Sequence, residues 1–245
     1  MDTANFRDCF NLHRTKALIV GALLLLTLTP DLHAQGYRYV RKHQELYDDK
    51  VVHYGFFFAA PTTRFTLKYS PAFVQADSAY RIYSPSRTGF RVGFVFNAFM
   101  TEHFDFRSTP SISLYSRAVN YDYPGGSERR EVRESTWLDI PLLIKYKSAR
   151  RNNSRMYMLA GGSLGIETNV RKREVQGATR LSTNNVDLAV EYGLGFEQFF
   201  EFFKFAPELR FSHGVTNLLN PTGNAASLGL RRLNTHTVTL YLNFE

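Results

Sequence analysis

Cysteine is nearly missing from this chain: the only one in 245 residues is Cys9, close to the N-terminus. Structural disulfides, thiolate catalysis and Cys-ligated zinc or iron–sulfur centres are therefore excluded for everything that follows it. Long hydrophobic runs are scarce as well. The one continuous apolar stretch, Ala17 to Leu28, falls short of the ~20 residues that a transmembrane helix needs, and a mean hydropathy of −0.28 is too polar for a helical membrane protein. No metal-ligand spacing, phosphate loop or nucleotide motif is present, so no cofactor is expected. What the chain holds in quantity is Phe and Tyr, 21 and 14 residues against a single Trp. Aromatic rings pack well on pleated surfaces, which favours strands, and 44% hydrophobic content argues against disorder.

The apolar stretch has the flanks of an export address. Arg7, Arg14 and Lys16 precede it, Pro30 breaks it, and Leu32-His33-Ala34 leads to Gln35. A short buried helix would need none of these features in that order, so residues 1–34 read as a Sec-type secretory signal peptide cut near Ala34-Gln35. Cys9 lies before the apolar run and so cannot be a lipid-anchor cysteine. Residues 1–34 contain three basic and three acidic groups, leaving 27 of the 30 basic and 19 of the 22 acidic residues in the exported part.

Beyond residue 52 the apolar residues recur with period two, the signature of strands. Phe90, Val92, Phe94, Phe96 and Ala98 alternate with Arg91, Gly93, Val95 and Asn97. Similar runs cover residues 104–115, 135–146, 156–166, 186–197, 203–212 and 237–244. Pro110 implies a local ladder defect. An earlier run, His53 to Tyr69, loses its parity near Pro61-Thr62-Thr63, where a bulge is expected. Eight segments result, each long enough to cross a bilayer as a tilted strand. Their connections alternate: long at Ser70–Thr88, Arg117–Arg133, Thr168–Asn185 and Gly214–Asn234, short at Thr101–His103, Ser148–Ser154 and Phe200-Glu201.

That rhythm predicts an all-β fold, an eight-stranded antiparallel transmembrane β-barrel of the outer-membrane type, over residues 53–245, with 35–52 as a periplasmic lead and both termini in the periplasm. A soluble up-and-down barrel has the same alternation with the opposite phase. Here the polar face is rich in Gly, Ser and Thr with charges of both signs, as suits a crowded interior, whereas the apolar face is large and aromatic. With the polar face inward, the lumen receives Arg91, Arg107, Lys145, Lys204 and Arg210 against Asp105, Asp139, Asp187, Glu191, Glu197 and Glu208. Eight strands enclose a space that side chains fill, and buried charges persist there only as pairs. The expectation is a plugged, salt-bridged barrel whose function sits on rims, loops or lead.

Catalysis has little to work with. Ser212-His213 offers a nucleophile and a base, but neighbouring strand residues point to opposite faces, so no enzymatic activity and no small-molecule substrate are expected. Basic clusters at Arg129-Arg130 with Arg133, at Arg171-Lys172-Arg173 and at Arg231-Arg232 fall in or beside the long loops, where lipopolysaccharide phosphates would attract them. A fourth, Arg150-Arg151 with Lys147 and Arg155, reads as solvated turn charge. Nucleic acid is a poor partner for an exported protein. A structural barrel that binds outer-membrane lipid and lipopolysaccharide through its basic loops is one functional reading.

Two stretches suggest another. Leu46-Tyr47-Asp48-Asp49-Lys50-Val51-Val52-His53-Tyr54-Gly55-Phe56, and Glu134-Ser135-Thr136-Trp137-Leu138-Asp139-Ile140-Pro141-Leu142-Leu143-Ile144-Lys145-Tyr146-Lys147-Ser148 followed by Arg150-Arg151-Asn152-Asn153, resemble the PorT (SprT) family. These are small outer-membrane barrels of Bacteroidota associated with type IX protein secretion and, in gliding species, with motility. Trp137 and Asp139-Ile140 replace the Tyr and Glu-Phe of that pattern. The resemblance implies a non-enzymatic outer-membrane secretion component that contacts other type IX secretion components. The lead and turns would supply the contacts, with Asp48, Asp49, Arg150, Arg151, Asn152 and Asn153 as candidate docking residues.

Overall fold

The computed structural model describes residues 41–71, 73, 81–122, 128–168, 183–220 and 229–245. Contacts divide the chain into residues 1–41 and 42–245, and the second unit is the subject here. The signal peptide expected over residues 1–34, the first part of the lead and the cluster at 171–173 lie outside the described residues.

Period-two patterning becomes strand wherever it occurs. After a 3-10 turn at Glu45–Tyr47 come β1 (Val52–Tyr69), β2 (Arg81–Tyr83), β3 (Arg87–Thr88), β4 (Phe90–Phe99), β5 (Phe104–Ser108), β6 (Ser111–Asp122), β7 (Glu128–Lys147), β8 (Ser154–Glu167), β9 (Val186–Phe199), β10 (Lys204–Gly214) and β11 (Leu230–Phe244). These eleven segments make eight staves, because β2, β3 and β4 continue one another and so do β5 and β6, which part at Thr109-Pro110. Every pairing is antiparallel. The ring closes where β11 returns to β1, in register from Phe56 opposite Phe244 to Lys68 opposite Arg232. Among the described residues no helix is long and apolar enough to cross a membrane.

The phase of the alternation is the one expected from the composition of the two faces. Leu188, Val190, Tyr192 and Leu194 of β9 are exposed on the outer wall, while Asp187, Glu191 and Glu197 are buried inside. The same holds for Met156 and Met158 against Arg155 and Tyr157 on β8, and for Leu142, Ile144 and Tyr146 against Leu143, Lys145 and Lys147 on β7. An apolar outer wall around a charged interior is the polarity of a barrel in lipid, opposite to that of a soluble barrel.

Two local expectations are corrected. No bulge interrupts β1 at Pro61-Thr62-Thr63: the register with β11 runs through unbroken and shifts only between Lys68 and Tyr69. The parity of hydrophobicity slips because the surroundings change while the backbone stays regular. Phe57, Ala59, Pro61, Thr63 and Phe65 all face inward, and Thr62, Arg64, Thr66 and Lys68 all face outward. Beyond Pro61 the strand has left the apolar belt, so its polar residues turn to solvent and Phe65 joins an internal cluster with Ile82, Tyr115, Val119, Trp137 and Leu233. The second correction concerns the long polar stretch Arg117–Arg133. Most of it is a twisted ribbon of β6 on β7, paired from Arg117 opposite Arg133 to Asp122 opposite Glu128.

Charge on the outer wall should discriminate belt from extension. Leu194→Arg, at mid-belt, is expected to lower stability by about 2–4 kcal/mol in reversible urea unfolding from phospholipid vesicles. Thr66→Arg, outward on the extension, is expected to change it by less than about 0.5 kcal/mol.

Candidate functional site

Strand alternation sends the side chains of β4, β5, β7, β8, β9 and β10 into a lumen from which water is largely displaced, so each charge there must meet a partner. Near the middle, Arg91 pairs with Asp139 at 2.9 Å and donates to Ser113 Oγ at 2.7 Å and to the hydroxyls of Tyr115 and Tyr241. Arg210 reaches Glu208 at 2.5 Å and Glu191 at 3.1 Å, and its guanidinium lies 4.2 Å above the Tyr241 ring. Tyr157 donates to Glu208 at 2.8 Å. Its ring occupies the space that a Cβ at Gly195 would need. Asp187 accepts a hydrogen bond from Thr235 at 2.6 Å.

Toward the termini, Glu197 collects three cations: Lys145 and Arg155 in close contact, and Lys204 at 3.0 Å. Lys204 also holds Glu245 at 2.7 Å, Glu245 holds Arg107 at 3.1 Å, and Lys147 holds Asp105 at 2.7 Å. The eleven charges named from sequence all point inward. To them the structure adds Arg117, Arg133, Lys147, Arg155, Asp48, Glu167 and Glu245, which brings the two signs into balance. Lys147 and Arg155 are therefore lumen residues, not solvated turn charge. Strand parity carried that signal, since each lies two residues from an inward neighbour, and Glu245 likewise follows Asn243.

Arg91, Arg117, Asp139, Asp187 and Glu191 surround a cavity of about 20 Å³. That is room for roughly one water molecule. Ser212 and His213 lie on opposite faces: His213 is exposed on the outer wall beside Tyr192 and His236, and Ser212 turns toward the lumen.

The terminus-side mouth is closed by the lead. The Tyr47 ring stacks on His53 at 3.9 Å, meets Phe199 edge-on at 5.3 Å and lies 4.6 Å from the Lys204 ammonium; its hydroxyl donates to Glu245 at 3.0 Å. Burial, reinforced by the Glu245 and Glu197 carboxylates, pushes this phenol far above its ordinary range, so it stays a donor. Asp48 pairs with Arg155 at 2.7 Å. Arg150 lies 3.8 Å above the Phe199 ring and donates to the carbonyls of His43 and Gln44, while Asn153 Oδ1 accepts from the His43 N–H at 2.8 Å. Of the six candidate docking residues, Asp48, Arg150 and Asn153 are thus engaged within the chain. Asp49, Arg151 and Asn152 are exposed, and Asn152 takes a left-handed φ of 52° at the tip of the turn.

Partial burial opposes ionisation of Asp48, but the Arg155 guanidinium outweighs it and holds the carboxyl below its ordinary range. A depressed carboxyl stabilises the docked lead at any pH above its unfolded value of about 3.9 and loses that contribution as pH falls through the folded value. Hydrogen exchange of residues 43–48 should therefore be flat above about pH 4, apart from intrinsic chemistry, and accelerate below it. Asp48→Asn should raise exchange about threefold at neutral pH and remove the acid step.

Residues 34–220 match the outer membrane protein β-barrel domain family. No curated protein matches the chain. Solved structures similar to it include the outer membrane protein OprG from Pseudomonas aeruginosa, at 13% identity and a TM-score of 0.43, covering 79% of this chain and 92% of that one. With a family match over most of its length, a closed ring of eight staves and an apolar outer wall, the chain belongs to the outer membrane protein β-barrel domain family.

Proposed function

We propose that this outer-membrane barrel is a non-enzymatic component of type IX protein secretion, and of gliding where that occurs, which acts in assembly of or docking to the translocon and is not the conduit. One observation carries the reading. The two stretches that resemble the PorT family are far apart in sequence, yet they lie at one rim, joined through their neighbours: Asp48 of the first reaches Arg155, just beyond the turn that ends the second, and Arg150 of that turn clamps the backbone of His43 and Gln44, just before the first. A lumen crossed by ion pairs, whose cavity beside Arg91 and Asp139 has room for about one water, supports a role at that rim over passage through the barrel. Asp49, Arg151 and Asn152 stand free around it as the contacts open to a periplasmic partner.

Asp49→Lys with Arg151→Glu should leave the barrel folded, judged by its heat-modifiable gel mobility. In the native host the double variant is expected to cut release of large exported proteins at least tenfold and trap their precursors in the periplasm. Normal export from both this strain and a deletion strain would leave a structural barrel and reject the secretion role. In planar bilayers the purified barrel should show no conductance above background, and a steady ion current would contradict the filled lumen.

A further inference from the structure

The outer wall is not uniform around its circumference. Among the described strand residues, the outward positions of β1, β4, β9, β10 and β11 carry no carboxylate. They do carry cations, and only at the loop-side edge of the belt. Arg64 of β1 stands opposite His236 of β11, and Lys68 stands opposite Arg232. His236 in turn stands opposite His213 of β10, with the ring nitrogens 3.1 Å apart, and His213 meets the Tyr192 hydroxyl at 3.2 Å. Below this group, past Thr62, the wall is apolar: Ala60, Val238, Leu240, Phe211 and Leu209.

The opposite edge of the same wall differs. Tyr54, Phe56, Phe96, Phe205 and Phe244 line it, with no outward cation on these strands, because Lys204 turns into the lumen. Inside the barrel most cations have been drawn to a carboxylate, and Arg117 is held instead by the Thr63 hydroxyl and the rings of Tyr115, Phe65 and Trp137. Outside, among the described residues, no carboxylate pairs with Arg64, Lys68 or Arg232, and the Nε of Arg232 is buried without a partner. Unpaired cations ranged one above another at the height where an apolar belt ends are placed for anionic headgroups, since each basic residue gains free energy at a negatively charged membrane surface.

We propose that Arg64, Lys68 and Arg232, beside the His213–His236 pair, form a binding site for the phosphorylated headgroup of an anionic glycolipid in the outer leaflet. The acyl chains would lie against Val238, Leu240 and Phe211, and the phosphates would meet the cations. This site is on the strand wall, separate from the basic clusters of the loops, and does not depend on the secretion reading. Arg232 also donates to the Val215 carbonyl at 2.6 Å. It has a structural task as well, so Arg64 and Lys68 are the residues to change.

The test uses the full-length barrel purified in detergent and titrated with bisphosphorylated lipid A, with fully dephosphorylated lipid A and with inorganic phosphate. Binding is read by native mass spectrometry and folding by heat-modifiable mobility. The expectation is preference for the phosphorylated lipid, and weakening of about fivefold for each cation removed in Arg64→Gln and Lys68→Gln, with Arg151→Gln on the opposite rim unchanged. For the unaltered barrel, affinity should fall between low and physiological salt, an arm that needs no variant to fold. Equal affinity for the two lipids, or an unaffected double variant, overturns the site. Competition by inorganic phosphate at lipid-like concentration would assign it to a free anion and overturn the lipid reading.

Discussion

A strand that crosses lipid can place charge on one side only. Every charged residue in the spanning part of this chain is therefore turned inward, into a space that eight staves make too narrow for a water column. Desolvation there is costly, and attraction between opposite charges repays it only when the geometry is close and the remaining donors are satisfied. The Glu197 cluster, the Glu245 bridge and the Arg91–Asp139 and Arg210–Glu208 pairs answer that requirement. Removal of one member would leave its partner buried and alone, so these residues hold the staves in a single arrangement, and the filled interior follows from the same constraint.

The polarity rule reverses where the staves leave the belt. On β1 the backbone continues without a break while the inward residues change from Phe57 and Ala59 through Thr63 to Phe65, and the outward ones from Phe58 and Ala60 to Arg64 and Lys68. Above the belt the barrel is built like a soluble protein, with Phe65, Ile82, Trp137 and Leu233 as its core. One continuous strand thus serves two solvents. The transition between them leaves Arg64 and Lys68 on the outer wall with no carboxylate partner among the described residues.

At the other end the lead brings Tyr47 and Asp48 to the mouth and completes the charge balance there. The filled interior leaves two edges that differ in chemistry: the terminus-side rim, where lead and turn are locked together, and the loop-side edge of the wall, where cations face outward.

Strand count, antiparallel order and the identity of the inward charges were legible from alternation, because a period of two assigns each residue to a face whatever the neighbours are. The Ser212-His213 separation was legible for the same reason. Alternation by itself could not decide which face was the outer one, since both phases alternate equally; the small and charged residues of one face against the large aromatic ones of the other decided it, whereas the change of surroundings beyond Pro61 was mistaken for a bulge. Nor could alternation place Asp48 in the lumen mouth beside Arg155 or bring the lead onto the turn at Arg150. Those contacts join residues about a hundred positions apart, and only closure of the ring brings them within bonding distance.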